Sequence, residues 1–260
     1  MQASDTDLTL LIDAARAAGK IAARHFKRDP ETWHKPDDAG PVTEADIAID
    51  TMLRSELLAA RPGYGWLSEE TMDTPDRLAA ERLFIIDPID GTRAFIDGSR
   101  AFAHSLAVVE HGQVIAGVVY LPMMDKIYAS AVGRGATLNG AAISASALGG
   151  EADATVLTTK PNMRADHWPG GVPLITPQYR SSLAYRMSLV AEGRFDAMMT
   201  FRDTWEWDIA AGVLIAHEAG ATVTDGHGGP IRFNNPSGQV AGVVTGAPGV
   251  HAALMRRRAA

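Results

Sequence analysis

Two aspartates three residues apart, Asp87 and Asp90, end the apolar run Leu83-Phe84-Ile85-Ile86. That run reads as a buried strand, so both carboxylates fall where a strand finishes. Pro88 restricts the backbone between them, and Gly91 permits a tight turn just after them. The combination aims both acids at one point. Converging carboxylates repel unless a positive charge lies between them, and a hard divalent cation such as Mg²⁺ suits such oxygens. Gly91-Thr92 then opens the segment Arg93-Ala94-Phe95-Ile96, whose free N–H groups suit a phosphate. Metal beside phosphate points to phosphoryl chemistry. The same Asp-Pro-x-Asp-Gly string also suits an ordinary turn, and the motif alone does not choose.

Further acids stand at the ends of other apolar stretches. Glu69 and Glu70 follow the short strand-like Trp66-Leu67-Ser68, and Asp208 opens the apolar stretch Ile209-Ala210-Ala211-Gly212. Taken singly, Asp208 could be a helix N-cap worth about 1 kcal/mol, and the two glutamates a solvated loop. Taken together, these readings do not explain acids after strand-like runs at two separate places.

The elements that must position these groups are legible in outline. Leu8, Leu11, Ile12, Ala15, Ala18 and Ala22 recur at helical spacing, which predicts an amphipathic helix over 5–28. Pro30 and Pro36 bound a loop carrying Lys35. Thr43 is the predicted N-cap of a second helix, with Asp46 three residues on and Ile47, Ile49, Met52, Leu53 and Leu57 as its apolar set. Antiparallel strands are expected over 104–110, 114–121 and 126–132, joined by hairpin turns at 111–112 and 122–125. Beyond them the texture changes to strand 155–159, helix 182–192, strand 195–200, helix 208–219 closed by Gly220, strand 240–245 and helix 251–257. A stretch rich in Ala, Ser and Gly at 141–154 marks a soft boundary. The expected division is an N-terminal α+β lobe over 1–145 with the metal-binding acids, and a C-terminal α/β lobe over 146–260 that completes the site.

Composition narrows the function classes. The chain has 260 residues, 46 % of them hydrophobic and 21 % charged, as in an ordinary soluble globular protein with a large core. It has no cysteine, so disulfides and thiolate metal sites are excluded and any metal must be held by oxygen or imidazole. The histidines show no metal-site spacing. A net charge of −7 argues against a nucleic-acid polymer as partner. The run Arg256-Arg257-Arg258 reads as a solvated helix end that complements the helix dipole. No apolar segment is long enough for membrane insertion, and acidic residues occupy the N-terminal region where a signal peptide would be basic then apolar. The expected compartment is the cytoplasm.

The chain resembles the inositol monophosphatase family of Mg²⁺-dependent, lithium-sensitive phosphatases over nearly its whole length. Asp87-Pro88-Ile89-Asp90-Gly91-Thr92 with Phe95 is similar to the family's first signature. Trp207-Asp208-Ile209-Ala210-Ala211-Gly212 with Glu218-Ala219-Gly220 is similar to the second. Ser68-Glu69-Glu70 and Val42-Thr43-Glu44-Ala45-Asp46 match the two remaining motifs, in the family's order. The resemblance implies an α/β fold, the layered αβαβα sandwich of the sugar phosphatases, and a phosphoric monoester hydrolase holding two to three Mg²⁺ ions. By that resemblance Glu69, Asp87 and the Ile89 carbonyl bind the first ion. Asp87, Asp90 and Asp208 bind the second, and a third leans on Glu69. Asp46 and Thr92 orient and deprotonate the attacking water, with Glu69 completing the catalytic set. Glu70 supports the metal ligands, and Lys35 lies near the metals. Asp90, Gly91, Thr92, Ser181, Ser182 and Asp208 are the implied substrate contacts. Li⁺ would take the second ion's place. A homodimer is compatible with the resemblance.

The ester itself is less legible. Inositol-specific members carry an acid seven positions before the second-signature aspartate, where this chain has Phe201, which accepts no hydrogen bond. Arg93-Ala94-Phe95-Ile96, Ser181-Ser182-Leu183 and Thr204-Trp205-Glu206-Trp207-Asp208 are similar to the 3′(2′),5′-bisphosphate nucleotidase branch. Arg93 or Arg180 could then meet a second phosphate, and Phe201 could pack on a base. The expected substrate is a small phosphorylated metabolite, adenosine 3′,5′-bisphosphate first. Inositol 1-phosphate and histidinol phosphate are the alternatives. A non-enzymatic relative would usually have lost one of the metal carboxylates or the water-activating pair, and all are present.

Overall fold

The computed structural model describes residues 3–35 and 40–259. Pro36, expected to bound a loop, lies outside the described residues. Six α-helices are described: α1 (Ala3–His25), α2 (Glu44–Ala60), α3 (Thr92–Ile96), α4 (Leu183–Ala191), α5 (Glu206–Glu218) and α6 (Pro248–Ala259). Thr32–His34 (β1) and Pro41–Thr43 (β2) pair as a short antiparallel ribbon where the sequence suggested only loop.

The main sheet has seven strands in simple chain order. They are β3 (Gly65–Ser68), β4 (Arg82–Asp90), β5 (Ala103–Glu110), β6 (Gln113–Leu121), β7 (Lys126–Ala131), β8 (Ala136–Leu138) and β9 (Ala141–Ile143). β3 runs parallel to β4 and the other neighbours are antiparallel; β5–β6 and β6–β7 are the hairpins that the turn residues predicted, whereas α3 lies between β4 and β5. A second sheet has the order β11-β10-β12-β16-β14, from Val156–Leu157 (β10), Pro177–Gln178 (β11), Ala197–Thr200 (β12), Thr222–Thr224 (β14) and Val243–Gly246 (β16). Thr204–Trp205 (β13) pairs with Gln239–Val240 (β15). The strand expected over 240–245 is thus two strands in two sheets. Gly242 separates them at φ +73, and a Cβ there would lie 2.6 Å from the Thr200 carbonyl, so only glycine fits the break.

Layer order follows from which face each strand residue presents. Successive side chains along a strand alternate faces. Phe84 and Ile86 of β4 pack with Leu11, Ala15, Ile49 and Leu53 of α1 and α2, whereas Leu83 and Ile85 pack in the cluster of α4 and α5. Both faces are covered, which is why β4 reads as a continuous apolar run. Helix α5 is apolar on nearly all sides because it lies between the sheets, and Gly117 of β6 lets its backbone come close: a Cβ there would sit 3.0 Å from Ala211 Cα. On the far face of the second sheet, Val156, Met199 and Val244 pack with Val250 and Leu254 of α6. The stack is therefore α1/α2, seven-stranded sheet, α4/α5, five-stranded sheet, α6, the expected αβαβα sandwich. The arginine run of α6 is not merely solvated. Arg257 pairs with Glu151, and Arg258 donates to the carbonyls of Gly226 and His167.

Candidate active site

The acids meet where α2, β3, β4, α3 and α5 converge. In a regular strand, residues three apart point to opposite faces. The β4–β5 register shifts between Asp87, opposite Ser105, and Asp90, opposite Ala103. Three steps on β4 thus match two on β5, a one-residue bulge that returns both aspartates to one face. Gly91, at φ +103, then turns the chain into α3. Asp208 is in the first turn of α5. The N-cap position is Trp205, which makes no side-chain cap, so Asp208 is not a capping residue. Asp87, Asp90 and Asp208 each present an oxygen within 4.8 Å of the others.

Asp90, Asp46 and the Glu69–Glu70 pair are held from behind. Asp90 Oδ2 accepts from Ser182 Oγ at 2.6 Å and from the Ala184 N–H of α4 at 2.7 Å. Asp46 closes a capping box on α2, its Oδ2 accepting from the Thr43 N–H and hydroxyl, while Oδ1 lies 3.2 Å from the Thr92 hydroxyl. That hydroxyl is also 3.2 Å from the Ile89 carbonyl. It has one proton to give, which leaves its lone pairs for a water. Lys35 Nζ donates to Glu69 at 2.7 Å and to Glu70 at 2.8 Å.

The electrostatics are those of acids lacking a counter-charge. Burial, then the charges of Glu69, Asp90 and Asp208, push the Asp87 carboxyl well above the usual range. Burial, then Asp90 and Glu69, raise Asp208. Burial lifts Asp90 and Asp46 to about 6 against the hydrogen bonds they accept, and burial with Glu69 lifts Glu70 to about 7. Among the described residues neither oxygen of Asp87 receives a hydrogen bond, although both are buried. An orphaned buried carboxylate costs several kcal/mol unless a cation meets it. An all-oxygen donor set of this kind fits Mg²⁺.

The cleft above these acids holds about 240 Å³, and its rim carries Arg93, Tyr179, Ser181, Arg202, Trp205 and Trp207. The indoles of Trp205 and Trp207 stack at 4.6 Å and 8°, and Trp205 is 41 % exposed. Ile89 lines the cleft although its side chain is buried against α1 and α2, so it offers main chain there. Three expected contacts lie elsewhere. Ser182 is buried behind Asp90, capping α4 and donating to Asp90, instead of lining the cleft. Phe201 packs on Trp168 with the Arg258 guanidinium 3.7 Å over its ring, on the side of α6. Arg180 stands over the Phe195 ring. Arg202, Trp205, Trp207 and Tyr179 were missed as a rim. Two tryptophans flanking one acid just before an apolar helix were the available signal.

A model of the inositol monophosphatase family matches residues 4–259. The chain belongs to the inositol monophosphatase family. Family members are phosphoric monoester hydrolases, and this enzyme is one; the family is Mg²⁺-dependent. The chain is 34 % identical over 234 residues to an inositol-1-monophosphatase of Rhizobium meliloti, covering 85 % of this chain and 86 % of the relative. It is 32 % identical over 248 residues to a histidinol-phosphatase of Chlorobaculum parvum, covering 90 % and 94 %. The crystal structure of extragenic suppressor protein suhB from Bartonella henselae superposes with a TM-score of 0.79 at 28 % identity, covering 97 % of this chain and 98 % of that one. The αβαβα stack is thus that of an inositol monophosphatase family fold. No helix among the described residues is long and apolar enough to cross a membrane.

Proposed function

We propose that this phosphatase hydrolyses a small phosphomonoester that carries a flat ring and a second anionic group, with adenosine 3′,5′-bisphosphate as the leading candidate. The observation that carries this reading is the stacked Trp205–Trp207 pair, its outer ring half open at the mouth of an acid-floored cleft. Base–aromatic stacking contributes about 1–3 kcal/mol. Arg93 and Arg202 at the same rim supply cationic forks for a second phosphate. They would repel the ammonium group of histidinol phosphate. Inositol 1-phosphate offers hydroxyls besides its single phosphate, and these neither stack on an indole nor give the two arginines a second anion to pair with.

Glu69, Asp87, Asp90, Asp208 and the Ile89 carbonyl would hold the two or three Mg²⁺ ions. Bound ions would neutralise phosphate charge, acidify water and stabilise the leaving alkoxide. The chain's own residues do the rest. Asp46 and Thr92 orient the attacking water and draw off its proton, Asp46 being held in place by Thr43. Gly91 and Thr92 place their N–H groups at the start of α3 toward the phosphate. Ser182 and the Ala184 N–H keep one Asp90 oxygen occupied, which leaves the other for metal.

The test is phosphate release at one fixed Mg²⁺ concentration from adenosine 3′,5′-bisphosphate, inositol 1-phosphate and histidinol phosphate. The expected result is the highest kcat/KM for the bisphosphate. A clear preference for either alternative overturns the substrate reading and leaves the metal chemistry standing.

A further inference from the structure

His104 is buried on β5, and the mechanism above does not use it. Its neighbours Ser105 and Ala103 pair with Asp87 and Asp90, so His104 is the residue opposite the bulged Pro88-Ile89. Its Nδ1 lies 2.5 Å from the Pro88 carbonyl oxygen. A carbonyl only accepts, so Nδ1 carries the hydrogen. Nε2 has no partner among the described residues, the Phe102 and Tyr120 rings flank the imidazole, and burial lowers its pKa to about 4, so the ring is neutral.

A bulge breaks the ladder, and the carbonyls it strands must find donors. Left bare, the Pro88 oxygen would be a buried acceptor without a donor, which disfavours the bulged form. The cheapest relief would be to regularise β4, which would send Asp87 and Asp90 to opposite faces. We infer that His104 is a positioning residue for the metal centre: its Nδ1–H holds the Pro88 carbonyl and thereby the bulge that makes Asp87 and Asp90 converge. The inference rests on the reading of those two aspartates as metal ligands and is independent of which ester is hydrolysed.

The experiment is a calorimetric Mn²⁺ titration of metal-free wild type, His104→Leu, which keeps an apolar side chain but no donor, and His104→Asn, which restores a short N–H donor. Groups that orient metal ligands typically contribute about 10–100-fold in affinity. The Leu variant is expected to bind Mn²⁺ weaker by that factor while keeping a cooperative thermal transition, and the Asn variant to recover most of the loss. A folded Leu variant with wild-type affinity, or a folded Asn variant as weak as Leu, overturns the inference. Wild type that binds no Mn²⁺ would instead overturn the ligand reading beneath it. If neither variant folds, long-range ¹H–¹⁵N spectra of the wild type decide. Nδ1 is expected protonated and Nε2 bare, and the reverse tautomer overturns the assignment.

Discussion

The floor and the rim of the cleft are built on different terms. The floor is made of acids on strand ends and helix starts; Asp46 is backed by Thr43 and Asp90 by Ser182 and Ala184, while Asp87 is buried with no hydrogen bond from the described residues. The rim is made of exposed or half-exposed side chains, Arg93 on the short helix α3 and Tyr179, Arg202 and Trp205 on loops and a short ribbon. Burial strengthens the floor's charges and holds its geometry, which suits it to the proposed chemistry. Solvent weakens each rim contact, so the rim can change its substrate at little cost to the fold. Chemistry and specificity are therefore separable here, and the separation can be probed.

The largest expected effect is on the floor. Asp87→Asn removes the carboxylate shared by both proposed ion positions, and kcat should fall by about 10²–10³-fold or more, the scale of losing one preorganised electrostatic group. The same change relieves an orphaned buried charge, so the metal-free melting temperature should rise or hold. Near-normal turnover at low Mg²⁺ would erase the distinction between floor and rim.

Thr92→Ala should cost about 10²–10⁴-fold in kcat, the usual range for a general-base arrangement, with KM little changed. Steady-state kinetics separate the two parameters, and a rise confined to KM would move Thr92 from chemistry to binding.

Trp205→Ala sharpens the comparison from the other side. Loss of a stacking platform worth about 1–3 kcal/mol should raise KM for adenosine 3′,5′-bisphosphate by roughly 5–150-fold. Turnover of a ring-free phosphomonoester should be unaffected. Equal losses on both esters would place Trp205 with the floor.

The smallest effect is in the pH dependence of stability. Asp46 and Asp90 have folded pKa values of about 6, above their unfolded values near 3.9. The folded state therefore binds more protons between these values, and the stability of metal-free protein should decline as pH rises from about 4 to 6. Saturating Mg²⁺ should flatten or invert that decline, since it favours the charged carboxylates. Melting curves across this range, with and without Mg²⁺, check the sign. A metal-free protein that gains stability over the window would mean that these acids are already compensated.

The contrast also explains what could be read in advance. Helices α1 and α2 were legible because one face of each is buried against a sheet, and burial imposes a 3.6-residue period. The hairpins from β5 to β7 were legible because their turns need residues such as Gly112 and Asp125, both at positive φ. The family resemblance implies Phe201 and Arg180 at the cleft, one seven positions before Asp208 and the other beside Ser181. In the fold Phe201 belongs to the α6 side of the second sheet, one residue from Arg202 on the cleft side. Adjacent residues in extended chain face opposite ways, and no periodic signal says which way is the cleft.

Residue type and local spacing were enough to determine the acids, their place at element ends, the alternation of apolar positions and hence a mixed α/β class, whereas the layered order was implied by the family resemblance. Those properties depend on local backbone preference and on whether a side chain tolerates water. Convergence was decided only in three dimensions. Asp87 and Asp90 share a face because β4 slips one residue against β5, with His104 opposite the slip. Asp208 joins them because α5 is buried between two sheets, and the rim exists because the 240–245 segment breaks at Gly242 to pair with Thr204–Trp205. Each depends on contacts between residues far apart in the chain, whose energies no short window of sequence contains.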